Sequence, residues 1–138
     1  MTAPSIGAYT TAQRTTNGTT LSISVPSYST GDTLYVAYVD DADAGAISID
    51  GTDWTTVVGD YMVPASGVPD SGSFGLWKKP AGGGPYTITT TVSERAIAFA
   101  FIVQGDGGFN VSVVSANGST SSPAVGDLIT TVADCLRI

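Results

Sequence analysis

The sequence has no histidine, one glutamate and one cysteine among its 138 residues. Catalytic triads and most zinc sites need the side chains that are missing, so neither kind of site is expected. Cys135 has no partner for an internal disulfide and no histidine to activate it, and its apolar surroundings favour a small buried side chain. We therefore predict a non-enzyme that holds no cofactor and no metal.

Positive charge is also scarce. Five Lys and Arg residues stand against twelve Asp and Glu residues, which gives a net charge of -7, and the five are scattered along the chain. Nucleic acids and anionic membranes both attract clustered positive charge, so neither is an expected partner. The N-terminus lacks a basic region followed by an apolar run, and no apolar run reaches about 18 residues, so we expect neither a secretory signal nor a transmembrane helix.

What the chain does contain is glycine, threonine, serine and β-branched residues. It has 17 glycines, and no stretch of about ten residues or more shows a helical apolar period. This composition predicts an all-β fold with no significant helix. We expect one domain over residues 1–138, in which residues 1–4 are either an N-terminal arm or a frayed end.

Residues 31–40 are the expected centre of the fold. A turn pair opens the stretch and no charge follows until Asp40, while apolar side chains occupy both faces: Leu34, Val36 and Tyr38 on one, Tyr35, Ala37 and Val39 on the other. A strand of this kind belongs inside a sheet that is covered on both sides. Residues 96–103 are a second uncharged run for which we expect the same.

Turn signals divide the rest of the chain into strands. Asn17-Gly18 predicts a hairpin between strands at 5–13 and 20–25, and Ser93-Glu94-Arg95 predicts a turn between strands at 86–92 and 96–103. Shorter strands are expected at 46–49, 55–62, 74–79, 109–115 and 128–138. Nine or ten strands at roughly ten-residue spacing predict an antiparallel two-sheet sandwich that is jelly-roll-like.

Two groups of polar or aromatic residues are candidate sites. Asp40, Asp41 and Asp43 suggest calcium, but the ligand spacing of a calcium loop is absent, so a solvated loop is favoured. Trp54, Tyr61 and Trp77 are the candidate ligand or partner contacts, and with the loop residues Tyr28 and Tyr86 they could form a platform on which a sugar stacks. Alternatively, both tryptophans are core or loop-anchoring residues.

A series of short segments carries a resemblance to a known family. The segments are Gly31-Asp32-Thr33-Leu34-Tyr35-Val36-Ala37, Gly51-Thr52-Asp53-Trp54, Leu76-Trp77-Lys78-Lys79-Pro80-Ala81-Gly82, Tyr86-Thr87-Ile88 and Ala98-Phe99-Ala100-Phe101-Ile102-Val103-Gln104-Gly105. Their order resembles a β-sandwich domain common in tailed-phage virion proteins and prophage open reading frames. The resemblance implies a structural virion protein, assembled in the host cytoplasm. Small size and the lack of catalytic residues suggest a capsid decoration or a tail-associated module.

The end of the chain repeats the start of the central strand. Asp134, Leu136 and Ile138 follow the same spacing as Asp32, Leu34 and Val36. The resembling domains continue past this second strand, whereas this chain stops, so the strand is either an edge completed by a neighbouring subunit or the end of a shorter fold. An open apolar edge favours pairing. We therefore predict a homo-oligomer, with its own copies and a major capsid or tail protein as partners.

An alternative function rests on the aromatic candidate residues. Under this alternative the chain is a carbohydrate- or receptor-binding β-sandwich module whose partner is a surface glycan. The two functions differ in which surface is used, because the first needs the chain's edge and the second needs the aromatic side chains.

Overall fold

The computed structural model describes residues 4–41, 46–63 and 72–105. They form six β-strands, which are β1 (Ser5–Ile23), β2 (Thr33–Asp40), β3 (Ile47–Ile49), β4 (Thr55–Val63), β5 (Gly72–Pro80) and β6 (Tyr86–Gln104). None of the described residues is helical, which confirms the all-β prediction.

The six strands make one antiparallel sheet, in which five follow the order β1-β6-β2-β5-β4 and β3 pairs with β6 outside this order. β6 pairs with three other strands. β1 lies along one side of it, while β2 and β3 share the other side. The predicted centre is confirmed, because β2 lies between β5 and β6. The predicted strands at 109–115 and 128–138 lie outside the described residues. The described part forms one sheet of six strands, whereas the sequence of the whole chain predicts nine or ten strands divided between two sheets.

Two predicted turns are wrong, and they are wrong at the same place. β1 runs through Asn17-Gly18 without a hairpin, and β6 runs through Ser93-Glu94-Arg95 without a turn. Gly18 pairs with Glu94 across the ladder, and the register shifts on both sides of Gly18. A shift of this kind bends a strand without ending it. The two turn signals therefore produce one irregular point in a long two-stranded ribbon.

Arg14 holds this irregular point together. Its Nε donates a hydrogen bond of 2.6 Å to the Glu94 carbonyl oxygen. A Cβ built at Gly18 would lie 2.9 Å from the Arg14 Cδ, so the absence of a side chain at residue 18 leaves room for the arginine to cross. Gly18 and Glu94, which belong to the two predicted turns, thus take part in a contact with Arg14 that joins distant parts of the chain.

The main core lies on one face of the sheet. Leu34, Val36 and Tyr38 of β2 are completely buried there, as the alternation predicts. Both halves of the long ribbon contribute to this core, and its remaining buried members are Leu21, Ile23, Trp77, Tyr86, Ile88, Ala96, Ala98, Ala100 and Ile102. Burial of these side chains is the main stabilising term for the fold.

The opposite face is covered only in part. Tyr35, Phe101 and Val103 are buried and pack with Val57 and Leu76. Further along the same face, however, three side chains predicted to be buried are exposed: Val39 by 42%, Ile97 by 51% and Phe99 by 38%. The expectation of cover on both sides of β2 and β6 is therefore wrong at these positions, since the described residues cover only one side there.

Candidate functional site

Aromatic residues gather where the loops before β4 and β6 meet. The Trp54 and Tyr86 rings pack edge to face with centroids 4.9 Å apart. The Trp54 Nε1 donates a 2.7 Å hydrogen bond to the Asp50 carbonyl oxygen, and the Asp50 Oδ1 accepts one of 2.7 Å from the Thr87 amide. These bonds tie the two loops together, and they give Trp54 the loop-anchoring role that the sequence left as an alternative.

Lys79 closes this aromatic cluster on one side. Its Nζ lies 5.3 Å from the centroid of Trp54 and 5.1 Å from that of Tyr86, and it donates a 2.9 Å hydrogen bond to the Thr52 carbonyl oxygen. A cation over an aromatic face uses the same surface that a sugar ring would stack on. The cluster is therefore occupied by its own lysine.

Tyr28 is the aromatic side chain of this region that remains open. It is 48% exposed, and its hydroxyl lies 4.0 Å from where a Cβ on Gly82 would be. Beside it is a shallow cleft of about 220 Å³ whose polar lining includes Ser27, Asp32 and Gln104. A tyrosine face next to carboxylate, hydroxyl and amide groups is suited to a small polar ligand.

The other predicted site residues lie elsewhere. Trp77 is 5% exposed and belongs to the main core, which favours the core interpretation of this residue. Tyr61 lies on β4 opposite Phe74. Asp134, Leu136 and Ile138 lie outside the described residues, so the edge strand that they predict stays a prediction.

A polar group formed by Arg14, Tyr38 and Asp40 lies at the end of the main core. Tyr38 is fully buried and accepts a 3.4 Å hydrogen bond from the Arg14 Nη2, while the Asp40 Oδ1 accepts one of 2.7 Å from the Ser73 amide. Burial, followed by the nearby Asp40 carboxylate, raises the pKa of Tyr38 to about 12. The sequence named Asp40 only as a candidate calcium ligand, and it did not predict the grouping with Tyr38 and Arg14, because Arg14 lies on a different strand, 24 residues from Tyr38.

A cleft of about 430 Å³ opens beside this polar group. Arg14 and Asp40 line it together with Val39, Ile97 and the exposed ion pair between Arg95 and Asp41, whose Nη2 and Oδ2 are 2.6 Å apart. The Arg14 Nη1 is buried and has no hydrogen-bond partner among the described residues. The cleft thus presents charges of both signs and one free hydrogen-bond donor. This combination gives no strong preference for a positively or a negatively charged ligand.

On its Val39 and Ile97 side the cleft continues into the open part of the second face of the sheet. We call Tyr9, Val39, Ile97 and Phe99 the apolar face. Tyr9 is 64% exposed and stacks on Phe99 with ring centroids 5.3 Å apart, and Phe99 in turn contacts the buried Phe101 at 5.6 Å. Adjacent exposed apolar side chains of this kind are typical of surfaces that contact another protein group, a ligand or a membrane.

Two general kinds of site are absent from the described residues. No group of three or more His, Cys, Asp or Glu side chains in the described ranges could hold a metal ion. No helix among them is long and apolar enough to cross a membrane.

Comparisons with known proteins give no relative for this chain. No protein-family model matches it, and neither the curated proteins nor the solved structures include a match. The resemblance to phage virion domains therefore rests on the short sequence segments alone and stays a prediction.

Proposed function

We propose that this chain is a non-enzymatic structural protein of a phage virion, a capsid decoration or a tail-associated module that works through protein contacts. Its partners are copies of itself and a major capsid or tail protein, and it is assembled in the host cytoplasm. Besides the order of the sequence segments, one structural observation supports the proposal: β1 has an open edge, because among the described residues it pairs with β6 alone.

The open edge is well suited to pairing with another strand. From Tyr9 to Arg14 the register with β6 runs without a shift, so the backbone is regular there. No charged residue and no proline occurs from Ser5 to Gln13. Natural proteins protect unpaired edges with lysine, proline or a local bulge. This stretch has no lysine and no proline, and the register shifts of β1 lie outside 9–14. The edge therefore favours pairing with a strand of another chain.

We also propose that the complete fold is the jelly-roll-like sandwich. The six described strands would supply one sheet and part of its cover, and residues 109–115 and 128–138 alternate in a way that would add further strands. The segments that resemble phage domains lie among the same described strands. These strands therefore support both the virion proposal and the sandwich proposal.

Light scattering on the purified chain tests the assembly. We expect an oligomer, and we expect the double variant Thr11→Lys, Gln13→Lys to dissociate it, because both exposed side chains flank the β1 edge and a charge there opposes pairing. These side chains share a face with Phe99 and Ile97, so Ile97→Thr, which changes that face away from the edge, should leave the oligomer intact. Ser48→Lys, an exposed position on β3, is the matched control. A clean monomer for the unmodified chain would contradict assembly through this edge.

Membership of a virion needs a separate measurement. We expect the chain to co-purify in a fixed ratio with intact capsids or tails when it is produced alongside them. If it stays in the soluble fraction while particles form normally without it, the virion proposal is wrong even if the chain self-associates.

The second candidate function, binding of a surface glycan, is favoured by the Tyr28 cleft. Tyr28 is exposed beside Asp32 and Gln104, whereas Trp54 is capped by Lys79 and Trp77 is buried. A glycan array should show binding that Tyr28→Ala abolishes and that Tyr9→Ala, a change at another exposed tyrosine, leaves intact. No binding by the unmodified chain, or equal loss in both variants, would reject this function.

A further inference from the structure

The apolar face runs along β6 toward the end of the described chain. Ile97 and Phe99 lie on β6, Val39 pairs with Ile97 from β2, and Tyr9 of β1 pairs with Phe101 and stacks on Phe99. β6 ends at Gln104, beyond Phe99 and on the far side of the buried Phe101 and Val103. At about 3.3 Å per residue, Ile97 lies about 23 Å back along the strand from that point.

The chain that follows has apolar residues that need a partner surface. After a glycine-rich link at 105–108, Phe109, Val111 and Val113 alternate with Asn110 and Ser112, Val114 follows, and a second stretch with many apolar residues occupies 128–138. A strand of seven residues is about 23 Å long, which equals the distance from the end of β6 back to Ile97. Phe101 and Val103, which lie between Gln104 and Phe99, are already buried, so the first stretch together with its link has the reach to return past them to Phe99 and Ile97.

We propose that residues 109–138 of the same molecule cover the apolar face, with 109–115 running back over Phe99 and Ile97. The inference goes beyond the assembly function and does not depend on it, because assembly uses the edge of β1 and this contact uses the face of the sheet. A short tether gives the two parts of one chain an effective concentration of about a millimolar. This favours the internal partner over a second copy of the chain.

A proximity measurement in the full-length chain tests the contact. Cys135→Ser removes the native thiol, and Val111→Cys with Ile97→Cys places one thiol in each surface; Ile97 is 51% exposed, so the sheet tolerates the change. A short bismaleimide should join the pair within one molecule. The control pair is Val111→Cys with Ser48→Cys, since Ser48 pairs with Thr89, about 26 Å along β6 from Ile97.

A stability measurement gives a second readout. Ile97→Thr should lower the urea midpoint by the same amount at low and at hundredfold higher protein concentration, because the cover is internal. Val92→Thr is the matched control on the same strand, where Val92 is 43% exposed, and it should leave the midpoint unchanged.

Three results would overturn the inference. They are cross-linking of the Ile97 pair no better than that of the Ser48 pair, a cross-linked product that is only a dimer, and an effect of Ile97→Thr that is absent or that changes with protein concentration. A cross-linked product that is only a dimer, or an effect of Ile97→Thr that changes with protein concentration, would assign the face to another copy of the chain.

Discussion

The ring of Trp77 lies against the backbone of Gly75, two residues earlier on β5, so closely that a Cβ at residue 75 would overlap it. The built Cβ would be 2.8 Å from the Trp77 Cζ2 and closer still to Cη2. Both residues are buried on the same face of the sheet. The large aromatic side chain therefore depends on the missing one beside it, and Trp77 is a packed part of the core.

Gly75→Ala should destabilise the fold. The added methyl group would push Trp77 out of its position, and overpacking of this kind costs about 1–3 kcal/mol. Gly7→Ala is the control, because a Cβ there would meet Ile102 at an ordinary 3.6 Å. Urea unfolding measures both variants, and an equal effect of the two changes would show that the Trp77 contact is not tight.

The two tryptophans should differ in how much stability they supply. Trp77→Ala removes a core side chain and should cost about 3–5 kcal/mol. Trp54→Ala loses one hydrogen bond, worth about 1 kcal/mol, one edge-to-face contact, worth about 0.5–1.5 kcal/mol, and the contact with the Lys79 cation, worth about 0.5–1 kcal/mol. Thermal and urea unfolding compare the two, with Trp77→Phe as a milder variant if the alanine chain does not fold. A larger loss for Trp54 would reverse the assignment of core and anchor.

Asp40 and Asp41 are neighbours in sequence with very different surroundings. The Asp40 side chain is buried and accepts the Ser73 amide, so Asp40→Ala should cost about 1–3 kcal/mol by leaving that donor unsatisfied. Asp41 is exposed and pairs with the exposed Arg95, so Asp41→Ala should cost at most about 1 kcal/mol, and less at high salt. Urea titrations at two salt concentrations measure both, and equal costs would contradict the burial difference.

Tyr38 should make stability fall at high pH. Its pKa is raised to about 12 from 10.0 by burial, so between these values the unfolded chain has lost the tyrosine proton and the folded chain has kept it. The stabilisation is complete below pH 10.0 and declines above it by about 1.4 kcal/mol per pH unit. The difference in unfolding free energy between the unmodified chain and Tyr38→Phe should show this decline.

The Tyr38→Phe variant is itself the reference for that titration, because residue 38 then has no proton to lose. If the unfolding free energy of this variant declines above pH 10.0 as steeply as that of the unmodified chain, the decline does not come from Tyr38.

The sides of the strands were predictable from the sequence. Leu34, Val36 and Tyr38 share a buried face, as the alternation of residues 33–39 predicts. Alternation is a property of the extended backbone itself, so it needs no knowledge of the partner strands. The all-β fold and the central place of β2 followed from the same pattern.

The ends of the strands and the exposure of their side chains depended on the tertiary structure. Asn17-Gly18 has the chemistry of a hairpin, but pairing of Gly18 with Glu94 holds both strands extended through their turn signals. Phe99 is as apolar as Phe101, yet one is exposed and the other is buried. Which strand pairs with which, and what covers each face, are set by contacts between residues far apart in the chain, whose energies a local pattern does not contain.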